Sequence, residues 1–192
     1  MKGVFTRLII FIVQKIRIFF YWLISSETVQ GKIIRNQPVL ITGSGLFRIG
    51  NNSSIGYFPS PFFFSGYAHI DLRKPHSYIE IGNDVQINNN ATLIADGAKI
   101  TIKDKTLIGT GLVIYTSDFH HLHPQKRLDS GYERQDVTIN ENVFIGSNVT
   151  ILKGTTIGKN SIIANGSIVN GQIPENVIAG GIPCRVLKNL HS

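Results

Sequence analysis

This chain of 192 residues is poor in acidic residues, sulfur and tryptophan. Asp and Glu number 12 against 19 Lys and Arg, and Cys, Met and Trp occur once each. A lone cysteine, Cys184, excludes an intrachain disulfide and a multi-cysteine zinc site, and its simplest role is that of a small buried thiol. Charged residues make up only 16% of the chain and hydrophobic ones 42%, which leaves enough apolar surface for a core and excludes a wholly disordered protein. The surplus of +7 is dispersed among Lys2, Arg7, Lys15 and Arg17, then Lys126, Arg127 and Arg134, then Arg185 and Lys188. No basic stripe interleaved with aromatics is present, so nucleic acid is not an expected partner. Separate cationic clusters suit anionic small molecules or a membrane surface better.

An uncharged run long enough to cross a bilayer is also missing. Residues 4–24 are rich in Ile, Phe and Leu, but Arg7, Lys15 and Arg17 interrupt them, each costing about 2.5–3.5 kcal/mol near the centre of a spanning helix. On a helix, Arg7, Gln14, Arg17, Tyr21 and Ser25 form a polar stripe, with Leu8, Ile9, Ile12, Val13, Ile16, Phe19, Phe20 and Leu23 elsewhere on the surface. The pattern predicts an amphipathic helix over residues 1–26. It is expected to lie on an anionic membrane, basic stripe toward the headgroups and Tyr21 and Trp22 at the interface, or to pack on protein. The absence of a small-residue cleavage site argues against a signal peptide. The expected location is cytoplasmic, peripheral at the inner face of a membrane, and the rest of the chain is expected to close its core without this segment.

What is present is a metre of six. Ile139, Ile145, Ile151, Ile157, Ile163 and Val169 recur at six-residue steps, a spacing that neither a 3.6-residue helix nor a simple strand produces. Four residues after the first five stand Val143, Val149, Thr155, Ser161 and Ser167, all small or β-branched. The same register runs through Ile81, Ile87 and Leu93, slips by three residues, and resumes at Ile102, Ile108 and Ile114, with Ile49 and Ile55 as a weaker start. This is the signature of an all-β fold, a parallel β-helix in which three hexads form one triangular coil and Gly or Asn turns the corners. The expected division is a helix over 1–26 and a β-helix domain over 27–188.

The metre breaks between about 115 and 138, where a protruding loop is expected. It holds His120, His121 and His123, three of the six histidines. An imidazole with a pKa near 6.5 suits the removal of a proton from an attacking hydroxyl at neutral pH, so one of these three is the candidate base.

The segment 142–147 (NVFIGS), followed by ILKGTTIG at 151–158, ANGSIV at 164–169 and IPENVIAGGIPCRVLK at 173–188, resembles the hexapeptide-repeat acyltransferases, of the sugar O-acetyltransferase type. The resemblance covers about residues 79–188 and implies a left-handed coil, acetyl-CoA as co-substrate, transfer to a sugar hydroxyl and a homotrimer with sites between subunits. It points to His120 as the catalytic base, to Asn90 as an orienting group and to the Ser147 N–H as donor to the oxyanion. Asn165 and Gly166 are implied as backbone contacts of the pantetheine arm, and Pro183, Arg185 and Lys188 as the tail that meets adenine and phosphates. Two residues depart from the family pattern: Phe144 stands where Trp is frequent, and Gly171 where a Lys is.

These features lead to an expected role in cell-surface polysaccharide or lipopolysaccharide biosynthesis. The alternatives are N-acetylation of an amino sugar, or acetylation of a soluble small sugar or antibiotic. No metal is expected. A zinc site of the carbonic anhydrase kind would need His69, His76 and the loop histidines in a spacing that this chain does not have. A non-catalytic assembly protein would need neither the histidine loop nor the basic tail. The aromatic segment 57–64 is open between acceptor wall, subunit contact and irregular coil.

Overall fold

A computed structural model describes residues 2–26 and 29–190. Very short strands follow one another around a three-sided coil and pair in parallel with their counterparts in the next coil. Among the described residues they make sheets of seven, eight and six strands, here faces A, B and C in the order in which the chain visits them. The six-residue metre is the register of this stack. On face A, Ile49, Ile81, Ile102, Ile139, Ile157 and Ile173 stand directly above one another. Ile55, Ile87, Ile108, Ile145, Ile163 and Ala179 do the same on face B. Face C stacks Ile41, Ile70, Leu93, Ile114, Ile151 and Val169. All these columns are buried, as are the small residues Val143, Val149, Thr155, Ser161 and Ser167 at the corners, where a larger side chain would collide with the converging chain.

Corners require backbone that L-residues rarely adopt, and asparagine tolerates it best among residues with a side chain. Between faces A and B, Asn142, Asn160 and Asn176 have φ of 56°, 62° and 58°. Their carboxamides form a ladder, Asn142 Nδ2 donating to Asn160 Oδ1 at 2.9 Å and Asn160 Nδ2 to Asn176 Oδ1 at 2.8 Å. The three-residue slip in the metre is Asp96, Gly97 and Ala98, which widen the corner between faces C and A.

Both ends of such a stack present unpaired strand edges, and each is covered in part. At the C-terminal end the strand Cys184–Asn189 folds back antiparallel onto Val177–Gly181, and Cys184 joins the core, where burial pushes its thiol pKa up. At the N-terminal end lies the helix α1 (Lys2–Leu23), packed on protein, the second of its two expected settings, and oriented opposite to the membrane-facing one. Its polar stripe faces the protein. Gln14 Nε2 donates to the carbonyls of Asn36 and Phe63, and Arg17 to those of Phe63 and Gly66. Just beyond the helix, Ser25 Oγ accepts from the Ile41 N–H on the outermost strand of face C, and the Ser26 N–H donates to Ile41 O. The stripe is polar because the end of a β-helix is a row of backbone donors and acceptors. Two expectations are thereby corrected: Arg17 does not face lipid headgroups, and the first coil does depend on this segment for its hydrogen bonds.

Candidate active site

The break in the metre is a 21-residue excursion at the corner between faces C and A, from Thr116 to Asp136. Its stem is ordered by pairing. Ser117 bridges Arg134, the Asp118 N–H donates to Glu133 O, and the Gln135 N–H donates to Thr116 O. Beneath the stem is Asp96, whose side chain is fully buried. It accepts from Ser117 Oγ at 3.0 Å and lies 3.3 Å from Lys74 Nζ and 3.8 Å from Arg134 Nε. Tyr132 completes the cluster, with the Arg134 guanidinium 4.1 Å from its ring centre. Burial works to raise the Asp96 pKa, but hydrogen bonds from Tyr132, Ser117 and Lys74 outweigh it and hold the carboxyl below its ordinary value. From the next coil Lys153 spans the stem, reaching Glu133 at 2.9 Å and Asp118 at 3.3 Å. Sequence reading missed Asp96 and Lys153. The slip of the metre at Asp96 was the available signal for the first; for Lys153 there was none.

The three histidines sit at the tip beyond this stem, and their hydrogen bonds separate them. His120 Nδ1 lies 3.1 Å from the carbonyl oxygen of Arg127. A carbonyl only accepts, so this nitrogen carries a proton, and in the neutral ring Nε2 keeps the lone pair. In His121 and His123 the relation is reversed. The His123 N–H donates to His121 Nδ1, and the Gln125 N–H donates to His123 Nδ1 at the start of the short 3-10 turn Pro124–Lys126. When neutral, these two rings carry the proton on Nε2 and offer solvent a donor. Of the three, His120 has the tautomer of a base.

The remaining site residues from the sequence occupy a different corner, between faces B and C. Asn90, Gly111, Asn148 and Gly166 follow one another along it, all with positive φ. Asn alternates with Gly there, so no continuous amide ladder forms. The carboxamide of Asn90 has no hydrogen bond among the described residues, in contrast to the buried Asn89, which holds the 57–64 segment through Tyr57 and Pro61. Gly166, with φ of 68°, has no atom within 4 Å of where a Cβ would stand, so its backbone borders open space. The Ser147 N–H is not free for an oxyanion: it donates to Asn165 Oδ1 at 2.7 Å. Asn165 thus meets the site through its side chain, where only its backbone was expected.

At the tail, Arg185 pairs with Gly180 and Lys188 with Ile178, because the register skips Leu187 in a bulge. That extra residue puts Arg185 and Lys188 on one face of the strand, which an odd spacing of three would otherwise forbid. Both are exposed and neither has a carboxylate partner among the described residues. Pro183 lies in the tight connection before them. Phe144 stands half-exposed on the outside of face B, lining a groove of about 320 Å³ with Tyr57, Asn88 and Gly109. Gly171 has φ of 91°, which accounts for glycine where the family pattern carries lysine.

One chain does not bring all these groups together. The His120 tip leaves one end of face C, and Asn90, Ser147, Asn165 and Gly166 lie at the other, a strand's length away. Among the described residues no cluster of three or more His, Cys, Asp or Glu is placed to hold a metal ion.

Residues 136–171 match the family described as bacterial transferase hexapeptide (six repeats). The chain is 40% identical over 115 residues to the galactoside O-acetyltransferase of Escherichia coli, covering 60% of this chain and 56% of that protein. It spans between 54% and 62% of the length of the curated relatives it matches. Among solved structures, a hexapeptide-repeat acetyltransferase of Vibrio cholerae in complex with acetyl coenzyme A is 32% identical, with 73% of this chain and 69% of that one covered at a TM-score of 0.58. A galactoside acetyltransferase in complex with coenzyme A is 28% identical over 82% of this chain and 64% of its own, at a TM-score of 0.52. The architecture common to them is the left-handed parallel β-helix.

Proposed function

Since this chain belongs to the hexapeptide-repeat acyltransferase family, we propose that it transfers an acetyl group from acetyl-CoA to a sugar hydroxyl. The observation that carries the reading is the hydrogen bond from His120 Nδ1 to Arg127 O, which leaves Nε2 as the proton acceptor at the exposed tip of a braced loop. In this reading Nε2 takes the hydroxyl proton as the acceptor oxygen attacks the thioester carbon. The tetrahedral oxyanion collapses by expelling the coenzyme thiolate, and the imidazolium returns the proton to that sulfur. No acetyl-enzyme is needed.

The corner between faces B and C supplies the coenzyme side. The open space over Gly166 accommodates the pantetheine arm, and Arg185 with Lys188 offers two unpaired cations on one face to its phosphates. Asn90 has an unused carboxamide for orienting the reactants. The Ser147 N–H serves the oxyanion only if the charged oxygen displaces Asn165 Oδ1, an exchange that favours the stronger acceptor. Because the base and these groups lie at opposite ends of one face, the complete site is assembled between copies. A homotrimer with the loop of one subunit facing the corner of its neighbour meets that requirement. For the acceptor we infer a cell-surface polysaccharide or lipopolysaccharide sugar, since the end of the molecule carries an exposed apolar helix suited to a membrane where such glycans are built.

The test is thiol release from acetyl-CoA by the purified protein with a panel of galactosides, amino sugars and lipid-linked glycans, followed by mass analysis of the product. An ester product with a sugar hydroxyl supports the reading. An amide product only, or no acceptor-dependent release by any member of the panel, overturns it.

A further inference from the structure

The orientation of α1 leaves its apolar side uncovered. A helix on the surface of a soluble domain ordinarily buries that side. Here the polar stripe is spent on the first coil and the aromatic segment, and Val4, Phe5, Ile16 and Leu23 are 78%, 66%, 64% and 64% exposed. At 100° per residue the exposed apolar positions sweep roughly 220° of the circumference, from Phe11 round to Ile24, with Lys15 within the sweep. A single partner helix needs a much narrower seam, and a matched one. Fluid acyl chains need neither.

The charges beside this surface are all of one sign. α1 has no Asp or Glu, and Arg7 and Lys15 have no carboxylate partner among the described residues. A third cation stands in an unusual place. Arg35 occupies the inward register of face B, directly above Ile55 at the open end of the aliphatic column. Its Nε is buried without a hydrogen-bond partner among the described residues, and burial lowers its pKa. Arg7, Lys15 and Arg35 together line a cleft of about 680 Å³ between α1 and the aromatic segment, walled by Tyr57, Phe58 and Phe63. Cations set in an apolar and aromatic wall suit a ligand that is anionic at one end and greasy at the other. No helix among the described residues is long and apolar enough to cross a membrane, so the contact is one of lying on the surface.

We propose that α1 and the cleft beside it dock this protein on an anionic phospholipid bilayer, the outer face of α1 among the acyl chains and the cleft of Arg7, Lys15 and Arg35 around a lipid phosphate. The inference stands on this end of the molecule alone and is independent of the acetyl-transfer reading. Arg17, expected from sequence to meet the headgroups, has no part in it, because it is bonded to the carbonyls of Phe63 and Gly66.

Flotation of the full chain with vesicles tests it. At low salt the protein should rise with phosphatidylglycerol-containing vesicles, bind pure phosphatidylcholine at least about tenfold more weakly, and lose anionic binding as salt rises. Phe5→Asp with Ile16→Asp should cut partitioning at least about tenfold while melting temperature, oligomeric mass and turnover on a soluble acceptor stay unchanged. The milder Phe5→Ser with Ile16→Ser should show the same direction if the charged pair disturbs expression. Arg7→Gln with Lys15→Gln should remove the preference for anionic vesicles and leave weak neutral binding. Four results would each overturn the proposal. They are a full chain that stays unbound at low salt, equal binding to both vesicle types, a fall in oligomeric mass in the Phe5 and Ile16 variants, which would assign the face to a second copy, and competition by glycerol phosphate as strong as by vesicles, which would assign the cleft to a soluble phosphate.

Discussion

The N-terminal helix and the excursion at 116–136 both depart from the six-residue metre, and they are held to the same stack by opposite means. The N-terminal helix is attached through neutral and cationic donors to the carbonyl of Asn36 at the end of the coil and to those of Phe63 and Gly66 in the aromatic segment, and it turns its apolar side outward. The excursion at 116–136 is attached through a buried carboxylate, Asp96, and a bridging lysine, Lys153, and it turns three histidines outward. The end of a β-helix offers unpaired backbone donors and acceptors, and the segment that covers it answers both, Gln14 donating to Asn36 O and Ser25 Oγ accepting from the Ile41 N–H. A corner in the middle offers none, because its backbone is already paired coil to coil, and a loop that leaves there must be anchored by side chains. In each case the residues that anchor are separate from those that are displayed, so attachment and exposed chemistry can be altered independently.

The comparison is put to its hardest test at His120. His120→Ala should lower turnover by a factor of about 10² to 10⁴ with folding and coenzyme affinity preserved. His121→Ala and His123→Ala should cost far less, since their Nδ1 atoms accept hydrogen bonds from backbone N–H groups. A dead His121 variant beside an active His120 variant, in the same steady-state assay, would show that the tautomer assignment fails.

An intermediate effect is expected at the anchor of the excursion. Asp96→Ala removes the acceptor of Ser117 Oγ and the counter-charge of Lys74 and Arg134, and should cost about 1–3 kcal/mol in urea unfolding. Turnover should fall as well, without the change in pH profile that loss of the base would bring. Because the Asp96 pKa is depressed in the folded protein, its contribution is present above the ordinary carboxylate value near pH 4 and is lost as pH falls through the folded value. The wild type should therefore lose protection of the excursion from proteolysis in acid, and Asp96→Asn should flatten that dependence.

Next comes the tail. Arg185→Ala with Lys188→Ala should raise the acetyl-CoA KM by roughly tenfold with saturated turnover nearly unchanged, as ground-state contacts require. An unchanged KM at low salt would remove the phosphates from this strand.

The smallest effect belongs to Lys153→Ala, at a bridge to Glu133 and Asp118 on the surface of the stem. Its measurable consequence should be faster amide exchange at Asp118 and Gln135, with little change in melting temperature. Glu133, held below its ordinary pKa chiefly by the hydrogen bond from Lys153, should return to that value in the variant, as carboxylate titration by NMR would read.

The hexad columns were legible where each inward position repeats the same demand, one aliphatic residue every sixth place: the fourteen positions read from Ile49 to Val169 all lie in the core, while Ile41, Ile70, Ile173 and Ala179 joined the columns only through strand pairing. The excursion was legible as an interruption of that rhythm. Its anchor was not, since Asp96 and Lys74 are distant in sequence and meet only after the coils have stacked. The three histidines were legible as candidates, but their different tautomers depend on which backbone group faces each ring, which composition and spacing do not specify. The helix shows the limit most plainly. Its polar stripe at Arg7, Gln14, Arg17, Tyr21 and Ser25 reads as one face, while what that face meets was left open between headgroups and protein, and only the folded stack turns it to protein.

What the sequence by itself determined is everything that repeats: the coil, its corners, the buried columns and the place where they break. Those follow from local periodicity, and each hexad states them again. What only the tertiary structure decided is everything that depends on a single long-range meeting: Asp96 under the stem, Arg35 in an aliphatic column, Gln14 on the carbonyl of Asn36 and Arg17 on those of Phe63 and Gly66. Amphipathicity specifies that a helix has two unlike sides, and which of them turns inward is fixed by what the surface beneath it lacks. Here that surface is a strand end with unsatisfied backbone, so the polar side is bound and the apolar side is left outward.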